Sequence, residues 1–254
     1  MPSVAPFVLG GESVAPGERR TIDLPIGVMS NHTPVNLPVH VIHGRRPGPV
    51  LFVSAAVHGD EIIGVEIIRR VRDLAVAFGA PIVLTSRERE GSLRMAAAEV
   101  GVDVMIFEGG EGLRFDEFAA RVGTKGVLRV MRALDMIVGH SLQAPHAQPA
   151  FSARSSWLRA PAGGLLRSYR KIGDGVAKGQ VIGAIGDPFG ERETEVVSEF
   201  DGLLIGRTNL PVVNQGDALF HVAELRRPVA TETALQELEE TMQADPMFDE
   251  DEIL

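Results

Sequence analysis

The sequence contains no cysteine in its 254 residues, and this absence removes several kinds of chemistry. Disulfides, thiolate nucleophiles and cysteine-ligated zinc are all excluded. A metal site would have to use histidine, aspartate or glutamate side chains. Basic residues are also fewer than acidic ones: the chain has 25 lysines and arginines and 34 aspartates and glutamates, which gives a formal net charge of −9. Binding to a nucleic-acid backbone needs a basic surface, so no nucleic-acid partner is expected.

Long apolar runs are missing as well. No run approaches the roughly 18 residues that a membrane-spanning helix needs, and the segment Met1–Pro6 lacks the basic region and apolar core of a signal peptide. We therefore expect no membrane span and a cytoplasmic location. The sequence also has no Gly-x-Ser-x-Gly nucleophile elbow and no Walker loop.

One stretch of the chain combines features that often mark a site. An apolar run over residues 51–57 ends abruptly in His58-Gly59-Asp60-Glu61, and a helical pattern follows at once. Because His58 and Glu61 are three positions apart, one turn of chain points both side chains the same way. Such a pair could fill two positions around a zinc ion and leave room for water. The spacing alone equally allows a hydrogen-bonded histidine beside a helix-start carboxylate.

Apolar runs and amphipathic patterns alternate through the first 150 residues, which predicts an α/β domain with a largely parallel sheet. The predicted strands are Arg20–Pro25, Val35–His43, Val50–Val57, Ala80–Thr85 and Val102–Phe107. The predicted helices are Glu61–Leu74, Ser92–Val100 with Ser92 as its cap, and residues 115–138 in two pieces broken around Gly123 and Gly126.

The pattern changes at Trp157, where short strands around glycine turns predict a small, barrel-like all-β module over residues 151–226. Residues 227–254 form an acidic tail. The module resembles biotinyl or lipoyl carrier barrels, but a carrier needs a lysine at the tip of its hairpin. No lysine follows Lys178, so we expect a lid or a packing partner instead of a carrier.

Three stretches together resemble the succinylglutamate desuccinylase/aspartoacylase family, which is related to the zinc carboxypeptidases. They are Pro49–Glu61 with its His-Gly-Asp-Glu motif, Ser92–Arg94 followed by Val104–Gly110, and Trp157–Ala223. The resemblance implies a zinc-carboxypeptidase-like sheet with flanking helices. It also implies that His58 and Glu61 are zinc ligands and that Glu108 is the general base. The implied reaction is hydrolysis of the amide of a small N-acyl amino acid or a related compound, and we allow for a homo-oligomer.

The chain departs from that family in its centre. Family members carry an Asp-Leu-Asn-Arg substrate-binding stretch and an Asp-Leu-His stretch with the third zinc ligand between the first motif and the catalytic glutamate. Here His58 and Glu108 are 50 positions apart (108 − 58), and the interval holds no other histidine. Asp103 is one substitute for the third ligand, and Arg87, Arg89 and Arg94 could bind a substrate carboxylate or form a solvated basic face. The alternative function is an inactive remnant that serves as a binding or assembly module.

Overall fold

A computed structural model of the chain describes residues 4–54, 68–85, 90–110, 115–138, 144–145 and 148–225, together with 233, 235–238 and 240. The chain divides into two compact units, Met1–Val53 with Leu134–Met136 and Ser54–Ala133 with Ile137–Leu254. The domain boundaries predicted at residues 150 and 226 stay predictions. None of the helices in the described ranges is long and apolar enough to cross a membrane.

The first unit is built from two antiparallel hairpins. Strands β1 (Phe7–Leu9) and β2 (Glu12–Val14) form the short one, and β3 (Arg19–Val28) and β4 (Pro34–Ile42) form a long ribbon. The two strands predicted in this region are therefore confirmed. The histidines of the ribbon have structural partners: Nδ1 of His40 lies 3.0 Å from Oγ1 of Thr21, and Nδ1 of His43 donates to the Val14 carbonyl at 3.0 Å.

Local capping interactions mark the ends of two helices of the second unit. Helix α1 (Ile68–Phe78) is followed by Gly79 at φ +84°, and Nη1 of Arg129 donates to the Phe78 carbonyl at 3.1 Å. Strand β5 (Ile82–Leu84) comes next, as predicted. Helix α2 (Leu93–Glu99) starts at Ser92, whose Oγ accepts from the Met95 backbone N–H at 3.2 Å. The predicted cap is confirmed.

Helix α3 (Glu117–Ala133) is continuous, so the prediction of two pieces broken around Gly123 and Gly126 is wrong. Two interior glycines cost a helix about 1 kcal/mol each relative to alanine, which is why a break was expected. Packing against side chains outside the helix offsets this cost. The Phe107 ring lies on Gly123, and a methyl group at Gly126 would overlap the Phe78 ring. The glycines therefore admit two aromatic rings close to the helix axis, and this packing offsets their low helix propensity.

The predicted largely parallel sheet is not confirmed. Within the described residues, one parallel pair is found, between β5 and β6 (Ala150–Ser152). Residues 50–54 and Val102–Phe107 have no strand hydrogen bonds, so the strands predicted there are wrong over these residues; residues 55–57 lie outside the described ranges. An apolar run forms a strand only where another strand can pair with its backbone, and its composition does not reveal whether that partner exists.

The C-terminal module is built from eight short strands, β7 (Ser155–Arg159), β8 (Gly164–Ser168), β9 (Gly175–Val176), β10 (Val181–Gly186), β11 (Glu193–Val197), β12 (Gly202–Arg207), β13 (Val212–Val213) and β14 (Ala218–Glu224). They form two four-stranded antiparallel sheets, ordered β11-β10-β8-β13 and β7-β14-β12-β9. Side chains of both sheets form one core, including Ile182, Leu204, Phe220 and Val222. The short strands predicted here are confirmed, but the barrel-like closure is not, because the two sheets do not join edge to edge.

The contact between Trp157 and His221 predicts that acid destabilises this module. His221 is buried in β14 and stacks on Trp157 of β7, with ring centroids 4.8 Å apart. Desolvation lowers the pKa of the His221 imidazole below its ordinary value of 6.5. The unfolded chain then binds the proton first as pH falls, so stability is fully present above about pH 6.5 and is lost below it.

Urea unfolding followed by the fluorescence of Trp157, the only tryptophan, should therefore show a lower midpoint at pH 5.5 than at pH 7.5. A His221→Gln variant should lose part of that difference because its side chain does not titrate. An unchanged difference in the variant would mean that His221 does not cause the acid sensitivity.

Candidate functional site

Glu108 is the one predicted site residue that the structure describes. It follows Phe107 at the end of a segment without helix or strand structure, Val102–Phe107, in the second unit. Glu108 is exposed overall, yet the protein around its carboxyl group removes part of its solvation. This desolvation raises the pKa of Glu108 above its ordinary value, while the charge of the Arg94 guanidinium acts in the opposite direction. A carboxylate with a raised pKa beside a cation is suited to exchanging protons.

The position of Glu108 depends on aromatic packing against helix α3. The Phe107 ring lies 5.1 Å from the Phe78 ring, centroid to centroid, with an interplanar angle of 39°. A Cβ atom at Gly123 would lie 3.1 Å from Cε1 of Phe107. The ring is therefore held between the end of α1 and the middle of α3.

The residues after Glu108 turn toward the start of α3. Gly110 has φ +80°, a conformation that glycine adopts at little cost, and a Cβ atom there would lie 3.1 Å from Cβ of Asp116. Oδ1 of Asp116 accepts from the Ala119 backbone N–H at 2.9 Å and caps the helix. A side chain at Gly109 would also press on Phe107 and Ala119. The glycine pair thus lets the chain pass close to the helix start immediately beyond Glu108.

Arg94 belongs to helix α2, whose first turn is fixed by the Ser92 cap. Its charge reaches the Glu108 carboxyl group, as the effect on the pKa shows. Of the three arginines that could bind a substrate carboxylate, Arg94 is the one within the described residues. Arg87 and Arg89 lie outside the described residues.

The predicted metal ligands cannot be placed in the same way, because His58 and Glu61 lie outside the described residues. In the part of the chain that is described, no group of three or more histidine, aspartate or glutamate side chains could hold a metal ion. Asp103 is exposed and joins no such group. The assignment of His58 and Glu61 as zinc ligands stays a prediction, and Glu108 by itself offers one carboxylate, which suits a base better than a metal cage.

Sequence reasoning did not identify the aromatic contacts that hold the Glu108 segment. Phe78 and Phe107 are 29 positions apart (107 − 78), and each was counted simply as an apolar residue. The available signal was the pair Gly123 and Gly126 inside an otherwise helical pattern. Interior helix glycines that persist despite their low propensity often have a packing reason.

Solved structures share this fold. The ectoine utilization protein EutE (DoeB) from Ruegeria pomeroyi, determined with product bound, matches with a TM-score of 0.56 and 20% identity over 64% of this chain and 52% of its own. A succinylglutamate desuccinylase/aspartoacylase from Rhodobacter sphaeroides matches with a TM-score of 0.55 and 24% identity, over 61% and 48%. A succinylglutamate desuccinylase from a Silicibacter species matches with a TM-score of 0.52 and 21% identity, over 63% and 52%.

The likeness is one of structure, at low sequence identity. Neither a family model nor a curated protein matches the sequence. This chain spans about half the length of the solved structures that it matches. The resemblance predicted from the three motifs is nevertheless confirmed for the fold: over about three fifths of its length, this chain has the mixed α/β fold of solved succinylglutamate desuccinylase/aspartoacylase family proteins.

Proposed function

We propose that this chain is a zinc-dependent amide hydrolase that removes the acyl group from a small N-acyl amino acid or a related compound. The observation that carries the proposal is Glu108. In a fold shared with solved desuccinylase/aspartoacylase proteins, it holds a carboxyl group of raised pKa beside the Arg94 guanidinium. Both the fold and the surroundings of this carboxyl group favour proton-transfer chemistry.

Glu108 acts as the general base in this proposal. Its carboxylate takes a proton from the attacking water and passes it to the leaving amine nitrogen as the C–N bond breaks. His58 and Glu61 would hold the zinc ion, which supplies Lewis-acid chemistry: it polarises the amide carbonyl and makes water a nucleophile near neutral pH. Arg94 can bind a carboxylate of the substrate, because a guanidinium matches that group with two parallel hydrogen bonds.

A second candidate function rests on the centre of the sequence. Because the interval between His58 and Glu108 holds no other histidine to serve as a third zinc ligand, this chain can also be an inactive form of the fold that serves as a binding or assembly module. In that case neither stoichiometric zinc nor amide hydrolysis is expected. The cytoplasmic location and the oligomeric state stay predictions under both functions.

A zinc titration of the full chain separates the two. The wild-type protein should bind one zinc ion near pH 7.5. His58→Ala should weaken zinc binding by at least about tenfold, because even the loss of a residue that only supports a metal ligand costs about that much. His32→Asn is the matched control, because His32 sits in an exposed turn at φ +64°, which asparagine tolerates. Equal zinc affinity in wild type and His58→Ala would contradict the assignment of His58. Absence of zinc binding in the wild type would favour the assembly module.

A further inference from the structure

We propose that Gly123, in the middle of helix α3, is a positioning residue for Glu108. It leaves room for the Phe107 ring against the helix, and this contact holds the carboxyl group of the next residue in place. The importance of this positioning for catalysis rests on the proposed function, in which Glu108 is the general base. The contact itself is a property of the fold.

The first step is that the segment before Glu108, residues 102–107, is not held in place by strand hydrogen bonds. Residues Val102–Phe107 belong to no helix and have no strand pairing. Most of their large apolar side chains are exposed to some degree, including Ile106 at 48% and Phe107 at 39%. The location of Glu108 therefore depends on side-chain contacts of its neighbours more than it would in a paired strand.

The second step is that the Phe107 ring packs closely against Phe78, Gly123 and Gly109. Its centroid lies 5.1 Å from that of Phe78. A Cβ atom at Gly123 would lie 3.1 Å from Cε1 and 3.4 Å from Cδ1, and one at Gly109 would lie 2.9 Å from Cζ. Contacts of about 3.1 Å are tighter than carbon atoms normally accept, so a methyl group at residue 123 requires the ring to move.

The third step is that hydrogen bonds hold the elements that surround the Phe107 ring. Phe78 ends helix α1, and its carbonyl accepts a hydrogen bond from Nη1 of Arg129 on α3 at 3.1 Å. Asp116 caps the start of the same helix and lies beside Gly110. These hydrogen bonds hold the end of α1 and the start of α3 in place. A larger side chain at residue 123 therefore displaces the Phe107 ring and the adjoining Glu108. The position of a catalytic base matters because the reacting atoms must be held in a near-attack geometry.

The test reads the titration of Glu108 directly, in the full chain and without a substrate. The ¹³C resonance of the Glu108 carboxyl group is assigned by its loss in Glu108→Gln and is then followed against pH. In Gly123→Ala, the ring shift should expose the carboxyl group, so that its raised pKa falls toward the ordinary value. Arg94→Gln should move the pKa in the opposite direction, because it removes the nearby positive charge that lowers it.

Two further variants separate positioning from a general effect on the helix. Thr124→Ala places a better helix former at the neighbouring, exposed position and should leave the Glu108 titration unchanged. Phe107→Leu removes the ring atoms that the new methyl group would meet. The double variant Gly123→Ala/Phe107→Leu should therefore lie closer to the wild type than the sum of the two single changes.

A folded Gly123→Ala variant with an unchanged Glu108 pKa would overturn the proposal. If Gly123→Ala does not fold, Phe107→Leu decides: a lowered Glu108 pKa supports positioning by the ring, and an unchanged one overturns it. Failure of the proposed function is a separate result. If the wild type binds no zinc but the Glu108 pKa falls in Gly123→Ala, the positioning contact stands while the role of Glu108 as a base is lost.

Discussion

Replacing Glu108 by glutamine should lower kcat/KM for amide hydrolysis by roughly 10²–10⁴-fold, the usual contribution of a general base. The amide of glutamine nearly matches the carboxyl group in size but cannot accept a proton from water. Hydrolysis is best measured as release of the free amine from N-succinylglutamate and N-acetylaspartate by the zinc-loaded protein. Zinc affinity should change little, because Glu108 is not one of the proposed ligands.

The same substitution should make the protein more stable at neutral pH. The pKa of Glu108 is raised in the folded state, so the stability linked to this group is present below about pH 4.5 and is lost as pH rises through the folded pKa. Glutamine stays neutral and avoids that loss. Glu99→Gln, an exposed change on α2, is the matched control and should alter neither activity nor stability. Full activity of Glu108→Gln would show that another group is the base.

Replacing Phe220 by alanine should destabilise the C-terminal module by about 3–5 kcal/mol, the usual cost of truncating a buried phenylalanine. Phe220 is 0% exposed and reaches from β14 to the opposite sheet, where a Cβ atom at Gly183 would lie 3.1 Å from its Cζ. Removal of the ring leaves a cavity between two sheets that have few other aromatic side chains. Urea unfolding followed by Trp157 fluorescence should show a lower midpoint with a similar slope.

Phe189→Ala is the control for this truncation. Phe189 lies in the turn between β10 and β11 and is 86% exposed, so the same chemical change should alter the free energy of unfolding by about 0.5 kcal/mol or less. Similar costs for the two variants would mean that Phe220 does not lie in a packed core.

The helix caps and the C-terminal strands were predictable because their signals are local. Ser92 caps α2 through its own third neighbour, and Gly101 follows the helix at φ +72°. The short C-terminal β strands alternate with glycine turns, so their succession along the chain can be predicted from the local sequence. The three motifs that suggested the family are likewise contiguous stretches of sequence, and the solved structures confirm the mixed α/β fold but not the largely parallel sheet.

The surroundings of Glu108 were not predictable for the opposite reason. Desolvation raises the pKa of this carboxyl group and the charge of Arg94 opposes that rise, while its position depends on Phe78 and on a glycine in α3. These residues are separated by 14 to 30 positions along the chain (108 − 94 and 108 − 78). Nothing in the spacing of His58, Glu61 and Glu108 indicates which other side chains the fold brings to the base.

The sequence by itself determined the chemistry that is available: no thiol, a histidine and carboxylates in a recognisable order, and a β module without a carrier lysine. Tertiary structure decided which apolar runs became strands and whether α3 stayed whole. Residues 50–54 and Val102–Phe107 have strand-like composition but no strand pairing, whereas α3 continues through Gly123 and Gly126 because two aromatic rings pack there. The physical reason is that composition sets local preference, while strand pairing and close packing need partners that are distant in the chain.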